Sequence, residues 1–167
     1  MATPKLLTIR RAKIGDAATL AAFNQLLAQE TEGRALEKSI ILRGVKNLLR
    51  NRSRGFYLLA EEQGSIAGAL MVTFEWSDWR NANFWWIQSV YVRKESRRRG
   101  VYRKLHEQVC KLAKQSKSCG IRLYVEKENR PAQNAYRRLG MNEACYKMFE
   151  ANFGTAAKPS SSGSPRA

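Results

Sequence analysis

The residues best suited to ligand binding lie in the segment QSVYVRKESRRRGVYRKL. In this segment an apolar run is followed by a basic loop and then by a helical pattern. The predicted helix begins near Gly100, and the first four amides of a helix have no partner inside it. These amides and the helix dipole attract a phosphate group. Arginines surround the same point: Arg97, Arg98, Arg99 and Arg103. The segment therefore predicts a site for a pyrophosphate rather than for a single carboxylate.

Two motifs, which follow one another along the chain, indicate what kind of protein this junction belongs to. The first is Arg97-x-x-Gly100-x-Tyr102, and the second, in ENRPAQNAYRRLGMN, consists of Asn129, Ala132, Tyr136 and Gly140. Together they resemble the signatures of the GNAT superfamily of acyl-CoA N-acyltransferases, with Tyr102 standing where that family has a small residue. The nucleotide motifs G-x-x-x-x-G-K-[ST] and G-x-G-x-x-G are missing, so kinase, NTPase and dinucleotide-binding functions have no support.

The resemblance covers about residues 5–150 and implies a fold and a co-substrate. The expected fold is a single-domain α/β (α+β) GNAT-like fold, with a mixed central sheet of about six strands flanked by about four helices. The expected co-substrate is acetyl-CoA. Its pyrophosphate is expected on the turn amides, and its pantetheine arm beside the strand that precedes them. The coenzyme-binding residues that the resemblance implies are Val90, Tyr91, Val92, Arg97, Arg98, Arg99, Gly100, Val101, Tyr102, Arg103 and Asn129.

Acetyl transfer to an amine also needs an oxyanion donor, a general acid and a base. The resemblance implies the backbone N–H of Val90 as the donor and Tyr136 as the acid that protonates the leaving thiolate. Packing is the ordinary alternative for such a tyrosine, and helix capping is the alternative for Asn129. The candidate base is Glu75, in MVTFEWSDWRN, where an acid lies among aromatic residues. The candidate acceptor-binding residues are Glu30, Glu32, Trp76 and Asp78, for which solvated surface positions are the alternative.

No metal site is expected. The sole histidine, His106, precedes Cys110 by one helical turn, and no third ligand is evident nearby, so a packing pair is the simpler interpretation. The three cysteines include no C-x-x-C pair and are expected to be reduced thiols.

Composition limits the remaining possibilities. A chain of 167 residues with 44% hydrophobic and 26% charged residues suits one globular domain. We expect the N-acetyltransferase domain at residues 1–153 and a disordered tail rich in Ser, Pro and Gly at residues 154–167. No apolar run has the length of a membrane span or a secretory signal, so the expected location is cytoplasmic.

The net charge of +16 indicates an anionic partner. Residues 1–83 carry 12 basic and 8 acidic side chains, whereas residues 84–167 carry 18 and 6, so the excess lies around the proposed coenzyme turn. The favoured function is transfer of an acetyl group to the primary amine of a small cationic molecule, by direct attack in a ternary complex. The alternatives are a protein or peptide acetyltransferase that docks through its basic surface, a non-enzymatic nucleic-acid-binding domain, and an acyl-CoA sensor. A homodimer is left open.

Periodicity predicts the elements that position these residues. The predicted strands are Leu6–Arg11, Phe56–Glu62, Ser65–Glu75, Phe84–Val92, Ile121–Val125 and Met141–Phe149. The predicted helices run from Asp16 to about Gln29, over about Leu36–Asn51, from Gly100 to a point before Gly120, and over Pro131–Leu139.

Overall fold

The structure is a computed structural model that describes residues 7–151 and residue 153. In chain order the elements are β1 (Leu7–Arg11), α1 (Ala17–Glu32), α2 (Lys38–Arg50), β2 (Gly55–Glu62), β3 (Ser65–Ser77), β4 (Ala82–Val92), α3 (Val101–Gln115), β5 (Gly120–Leu123) and α4 (Arg130–Arg138). The predicted tail, residues 154–167, lies outside the described residues.

The strands form one mixed sheet in the order β1-β2-β3-β4-β5. Neighbouring strands are antiparallel except β4 and β5, which are parallel. The predicted hairpin between β2 and β3 is confirmed, and Gln63 and Gly64 form its turn with φ angles of 51° and 76°. Positive φ at both central residues matches the twist of the flanking strands.

Helices cover both faces of the sheet because the strands alternate their side chains. In β2, Leu58 packs with Leu105 and Val109 of α3, while its neighbour Leu59 packs on the other face with Leu20 of α1. All five of these side chains are at most 1% exposed. Spacing of four residues in α3 thus places one apolar stripe against the sheet, with Val101 at the helix start beside Gly68 of β3.

The β4 strand changes its pairing halfway along its length. It pairs with β5 only over Phe84–Ile87, and beyond Ile87 its edge on that side has no strand partner among the described residues. Its register with β3 shifts at the same place, and Ser89 has a φ of 48° there. A bulge adds a residue to one strand and re-aims the chain. The last residues of β4 therefore offer an open backbone edge that leads to the start of α3.

The predicted closing strand at Met141–Phe149 is wrong, so the sheet has five strands within the described residues. This segment is irregular, with Tyr146 and Phe149 exposed at 79% and 90%. Alternating apolar residues favour an extended chain, but a strand also needs a partner's backbone. The pattern does not determine where the turn after α4 directs the chain, so it cannot establish that partner.

Candidate active site

The N-terminus of α3 presents uncapped backbone amides. No side chain caps the helix at Gly100, and the first hydrogen bond into it is donated by the Lys104 N–H to the Gly100 carbonyl at 3.0 Å. Gly100 has a φ of 76°, and a Cβ there would meet no atom within 4 Å. Glycine is therefore favoured at this position by its left-handed backbone rather than by crowding. Arg98 shares the left-handed conformation, with a φ of 60°.

The arginines around this turn differ in what their side chains contact. Arg97 donates to Glu30 at 2.6 Å and to the Val92 carbonyl at 3.0 Å. Arg99 pairs with Glu62 of β2, and Arg103 donates to Glu107 at 2.9 Å on the exposed face of α3. Among the residues that the structure describes, Arg98 has no ion-pair partner, so its charge is not matched by a protein carboxylate.

A groove of about 1090 Å³ joins the end of β4, the start of α3 and one side of α4. Val92, Gly100 and Val101 form part of one wall, and Ala135 and Leu139 lie across from them. Its basic lining residues are Arg97, Arg98, Arg103, Lys111, Lys114 and Arg138, against a single acid, Glu107. The groove therefore suits a long anionic ligand with a less polar portion.

Tyr136 of α4 lies next to this groove. Its ring packs edge-on against Tyr102, with ring centroids 5.7 Å apart. Burial raises the pKa of Tyr136, so its phenol carries a proton at neutral pH. Tyr102, which departs from the small residue of the family motif, therefore packs directly beside Tyr136 at the start of α3.

Glu75 lies on the opposite side of β4 from α3, in a cluster of aromatic and basic side chains. It accepts a hydrogen bond from the Trp86 indole N–H and another from Arg122 at 2.8 Å. Arg122 stacks over the Phe84 ring at 3.6 Å, and Tyr124 packs on Trp86 with centroids 4.4 Å apart. The carboxylate of Glu75 therefore accepts hydrogen bonds from side chains of both β4 and β5.

A polar row leads from Glu75 toward the bulge in β4. Gln88 Nε2 donates to Thr73 Oγ1 at 2.5 Å, and Thr73 pairs with Trp86 across the sheet. Sequence reasoning missed Thr73, Gln88 and Arg122. The available signal was the occurrence of polar residues at alternate positions of otherwise apolar strands, which marks a face that is not fully covered.

The structure separates the four predicted acceptor-binding residues. Glu30, at the end of α1, binds Arg97 and accepts from the Tyr91 hydroxyl at 3.2 Å, whereas Glu32 pairs with Arg34 at 3.1 Å. Hydrogen bonding from Arg97 holds the pKa of Glu30 below its usual range.

Trp76 and Asp78 lie at the far end of the sheet, by the turn between β3 and β4. Trp76 pairs with Asn83, which strand geometry puts about 20 Å from Val90. Asp78 accepts from the backbone N–H of Trp79 at 2.8 Å. Neither residue is brought to the start of α3.

Asn129 begins α4 by accepting a hydrogen bond from the Ala132 N–H at 3.2 Å, so its side-chain oxygen serves as a helix cap. The side chain of Tyr91 is buried under α1 against Phe23, at a centroid distance of 4.9 Å. Only the backbone of Tyr91 therefore belongs to the open edge of β4.

A family model described as the acetyltransferase (GNAT) family matches residues 20–141. The chain belongs to the GNAT family. Acetyl-CoA-dependent N-acetylation is the activity of GNAT enzymes, and this chain is an N-acetyltransferase. The resemblance drawn from the two motifs is thereby confirmed, as is the expected fold class.

Solved structures agree with the GNAT assignment. A possible acetyltransferase from Clostridium difficile 630 is 43% identical, and the match covers 89% of this chain and 98% of that chain with a TM-score of 0.83. A predicted acetyltransferase with acetyl-CoA from Clostridium acetobutylicum is 21% identical, with 88% and 96% covered and a TM-score of 0.71. Glucosamine-6-phosphate N-acetyltransferase from Arabidopsis thaliana is 21% identical, with 88% and 99% covered and a TM-score of 0.68. Comparison with curated proteins found no match.

Neither a metal cluster nor a membrane-spanning helix is found in the described part of this GNAT enzyme. Among residues 7–151 and 153, no group of three or more His, Cys, Asp or Glu side chains could hold a metal ion. Within the same described part of the chain, none of the helices has the length and apolar character needed to cross a membrane. Cys110, Cys119 and Cys145 are free thiols, as the sequence predicted.

Proposed function

We propose that this GNAT enzyme transfers an acetyl group from acetyl-CoA to the primary amine of a small cationic molecule, by direct attack in a ternary complex. One observation carries the proposal: the open edge of β4 leads, at Val92, into the same basic groove that the uncapped N-terminus of α3 lines. A backbone edge suits an extended, amide-containing chain, and a helix N-terminus suits a phosphate. Coenzyme A contains both, joined end to end.

The coenzyme orientation follows from these two features. The pyrophosphate binds the backbone amides from Arg98 to Arg103, with Arg98 as the arginine of the 97–99 run that has no carboxylate partner among the described residues. The pantetheine arm then extends beside the backbone of Val90–Val92, past Val101 and Tyr102. This orientation brings the thioester to the bulge near Ser89, where the Val90 N–H donates to the carbonyl oxygen as negative charge develops there.

Tyr136 supplies the proton that the leaving group needs. The amine nitrogen attacks the thioester carbonyl carbon, the new C–N bond forms, and the C–S bond breaks. The departing thiolate takes the phenolic proton of Tyr136, the nitrogen of the new amide releases its extra proton to solvent, and Tyr136 regains a proton from solvent. Burial raises the pKa of Tyr136, so the phenol holds its proton until the thiolate forms.

Glu75 is proposed to act on the acceptor side. Its carboxylate lies on the face of β4 opposite α3, at the start of the polar row through Thr73 and Gln88. An amine reaching the bulge along this row meets a carboxylate and aromatic rings, both of which attract a cation. We propose that the ammonium group of the acceptor first loses a proton through water along the row to Glu75, and that the resulting neutral amine is the nucleophile.

The proposed function is tested in two steps. Thermal unfolding is measured with acetyl-CoA, with CoA and with NAD as the control. A ligand at a hundred times its dissociation constant stabilises a fold by about 2.7 kcal/mol. Acetyl-CoA and CoA are therefore expected to raise the Tm, and NAD is not. Thiol release is then followed with a panel of diamines, amino acids and basic and acidic peptides.

The outcomes separate the candidate functions. Turnover with diamines supports the proposal. Turnover only with peptides, falling as salt rises, would instead favour the protein acetyltransferase that docks through basic surface charge. Binding of acetyl-CoA without thiol release for any amine would favour a sensor. No stabilisation by CoA would exclude the groove as a coenzyme site.

A further inference from the structure

Two tryptophans at the turn between β3 and β4 are largely exposed. Trp76 is 60% exposed and Trp79 is 88% exposed, although tryptophan is highly buried on average. Strand geometry puts Trp76 about 20 Å from Val90, and the alternation of side chains puts it on the other face of the sheet from Glu75. Neither the coenzyme groove nor the acceptor side therefore accounts for this exposure. Exposed apolar surface rimmed by polar residues marks a binding surface.

Trp76 forms one wall of a hollow of about 340 Å³ at the C-terminal end of α3. Phe74 and Trp85 line the same hollow, together with the polar residues Asn83 and Lys117. Because α3 ends here, it does not cover this part of the sheet, and Phe74 is only half-buried. Aromatic rings beside amide and ammonium groups suit a flat ring with polar edges, such as a nucleobase.

The aromatic row continues across the sheet to a pair of arginines. The rings of Phe74 and Phe56 have centroids 6.2 Å apart, and the guanidinium of Arg11 lies over the Phe56 ring at 3.9 Å. Burial and then repulsion from Arg52 lower the pKa of Arg11, which indicates that the two cations lie near each other. Neither has an ion-pair partner among the described residues. This end of the row therefore attracts an anion.

The length of the row indicates the kind of anion. It extends from Arg11 on β1 to Lys117 before β5, and four spacings between strands amount to about 19 Å. A single phosphate cannot contact both ends, whereas an extended polyanion can. An acidic peptide would meet the cations but has no flat group for the aromatic rings between them. A nucleic acid strand carries a phosphate and a base in every unit, and only an unpaired strand has its bases free to stack.

We propose that the surface formed by Arg11, Arg52, Phe74, Trp76 and Lys117 binds single-stranded nucleic acid. One base stacks on Trp76 and another enters the hollow beside Phe74, while the phosphates contact the arginines and the lysine. This surface is independent of the proposed function, because the hollow shares no lining residue with the coenzyme groove. The enzyme can then be held on a nucleic acid strand while its coenzyme groove stays open.

The test uses the full chain and three labelled strands of about 12 nucleotides, a length within the range of known single-strand sites. The strands are oligouridylate, oligothymidylate and a DNA strand of abasic sites, which has the phosphates without the bases. Fluorescence anisotropy measures their dissociation constants at one low salt concentration. Both strands with bases are expected to bind, and the abasic strand is expected to bind about tenfold more weakly because it cannot stack.

One pair of variants tests the stacking. Trp76→Ala is expected to weaken binding of the two strands with bases by about tenfold and to leave binding of the abasic strand unchanged. Tyr124→Ala is the matched control, because Tyr124 is 54% exposed but packs on Trp86, on the other face of the sheet. Substitutions at exposed positions seldom alter stability, and thermal unfolding of each variant confirms that it folds.

A second pair of variants tests the phosphate contacts. Arg52→Gln removes one exposed positive charge from the surface. The slope of log affinity against log salt concentration should therefore become shallower by about 0.7 for each strand. Lys104→Gln removes an exposed positive charge at the other end of α3 and should leave the slope unchanged.

Several results would overturn the inference. It is wrong if no strand binds, if the abasic strand binds as tightly as the others, or if Trp76→Ala has no effect. It is also wrong if CoA displaces oligouridylate, because the strand then occupies the coenzyme groove. A glutamate peptide of equal charge that binds as tightly as oligouridylate would make the surface a docking site for acidic proteins instead. Absence of CoA binding would remove the proposed function and leave this inference standing.

Discussion

Arg97 is bound by Glu30, with Nη2 and Oε2 2.6 Å apart across a separation of 67 residues. The contact ties the basic turn after β4 to the last turn of α1, where Glu30 also accepts from the Tyr91 hydroxyl at 3.2 Å. Arg99 is similarly engaged by Glu62. The run of three arginines is therefore not a uniform phosphate clamp, because two of its members already have carboxylate partners.

The first prediction concerns this difference between neighbouring arginines. Arg98→Ala is expected to weaken acetyl-CoA binding by about tenfold, because it removes a charge-assisted contact to the pyrophosphate. Arg99→Ala removes the same charge from the next position, but its side chain faces Glu62 and does not line the groove. We expect Arg99→Ala to weaken acetyl-CoA binding by less than about twofold. Calorimetry at constant low salt measures both, and equal losses would show that net charge alone governs affinity.

The second prediction tests Tyr136 as the proposed general acid. Tyr136→Phe is expected to lower kcat by about 100-fold, because the thiolate then leaves without a proton donor. The dissociation constant of acetyl-CoA should not change, because the ring and its contact with Tyr102 are retained. Steady-state kinetics and calorimetry on the same preparation provide the two readouts. Unchanged turnover would remove Tyr136 from the chemistry.

The third prediction uses opposite changes within the Glu75–Arg122 pair. Glu75→Gln removes the negative charge that attracts a cationic acceptor, so the acceptor KM should rise by about tenfold. Arg122→Met leaves that charge uncompensated, so the KM for the same amine should fall. Neither change should alter the dissociation constant of acetyl-CoA. Shifts of the same sign in both variants would show that the pair acts only through the structure of the sheet.

The fourth prediction is a pH dependence of stability from His106. Burial lowers its pKa in the folded protein, so below about 6.5 the unfolded chain binds more protons at this residue. The stability present above pH 6.5 is lost as the pH falls toward the folded-state pKa. Wild type should therefore lose more free energy of unfolding between pH 7.5 and 5.5 than His106→Leu. Denaturant titrations at both pH values measure the difference, and parallel losses would contradict it.

The fifth prediction contrasts two glycines with equally open surroundings. Gly100 has a φ of 76°, and alanine there is expected to cost about 1–2 kcal/mol through backbone strain. Gly44 lies inside α2 without a positive φ, and a Cβ would likewise meet nothing within 4 Å. Gly44→Ala should stabilise by about 0.5–1 kcal/mol. Denaturant unfolding of the two variants compares them directly.

The sequence predicted much of the fold because most of the elements depend on local patterns. The alternating strand β2, the Gln63-Gly64 turn and the apolar stripe of α3 each depend on residues close together in the chain. The failure at Met141–Phe149 has the opposite cause. Its pattern is compatible with a strand, but pairing with a distant edge depends on the path of the chain after α4.

The candidate site likewise has one part that local sequence predicts and another that only the folded structure shows. The sequence by itself predicted the basic turn before α3 that we propose binds a phosphate, since a glycine, a helix start and the basic residues around them act within a few positions of one another. The tertiary structure decided which charges are free to bind a ligand: Arg97 and Glu30 lie 67 residues apart, and Arg122 and Glu75 lie 47 apart. Local motifs cannot specify such pairs, because electrostatic partners are chosen by distance in the folded chain rather than along it.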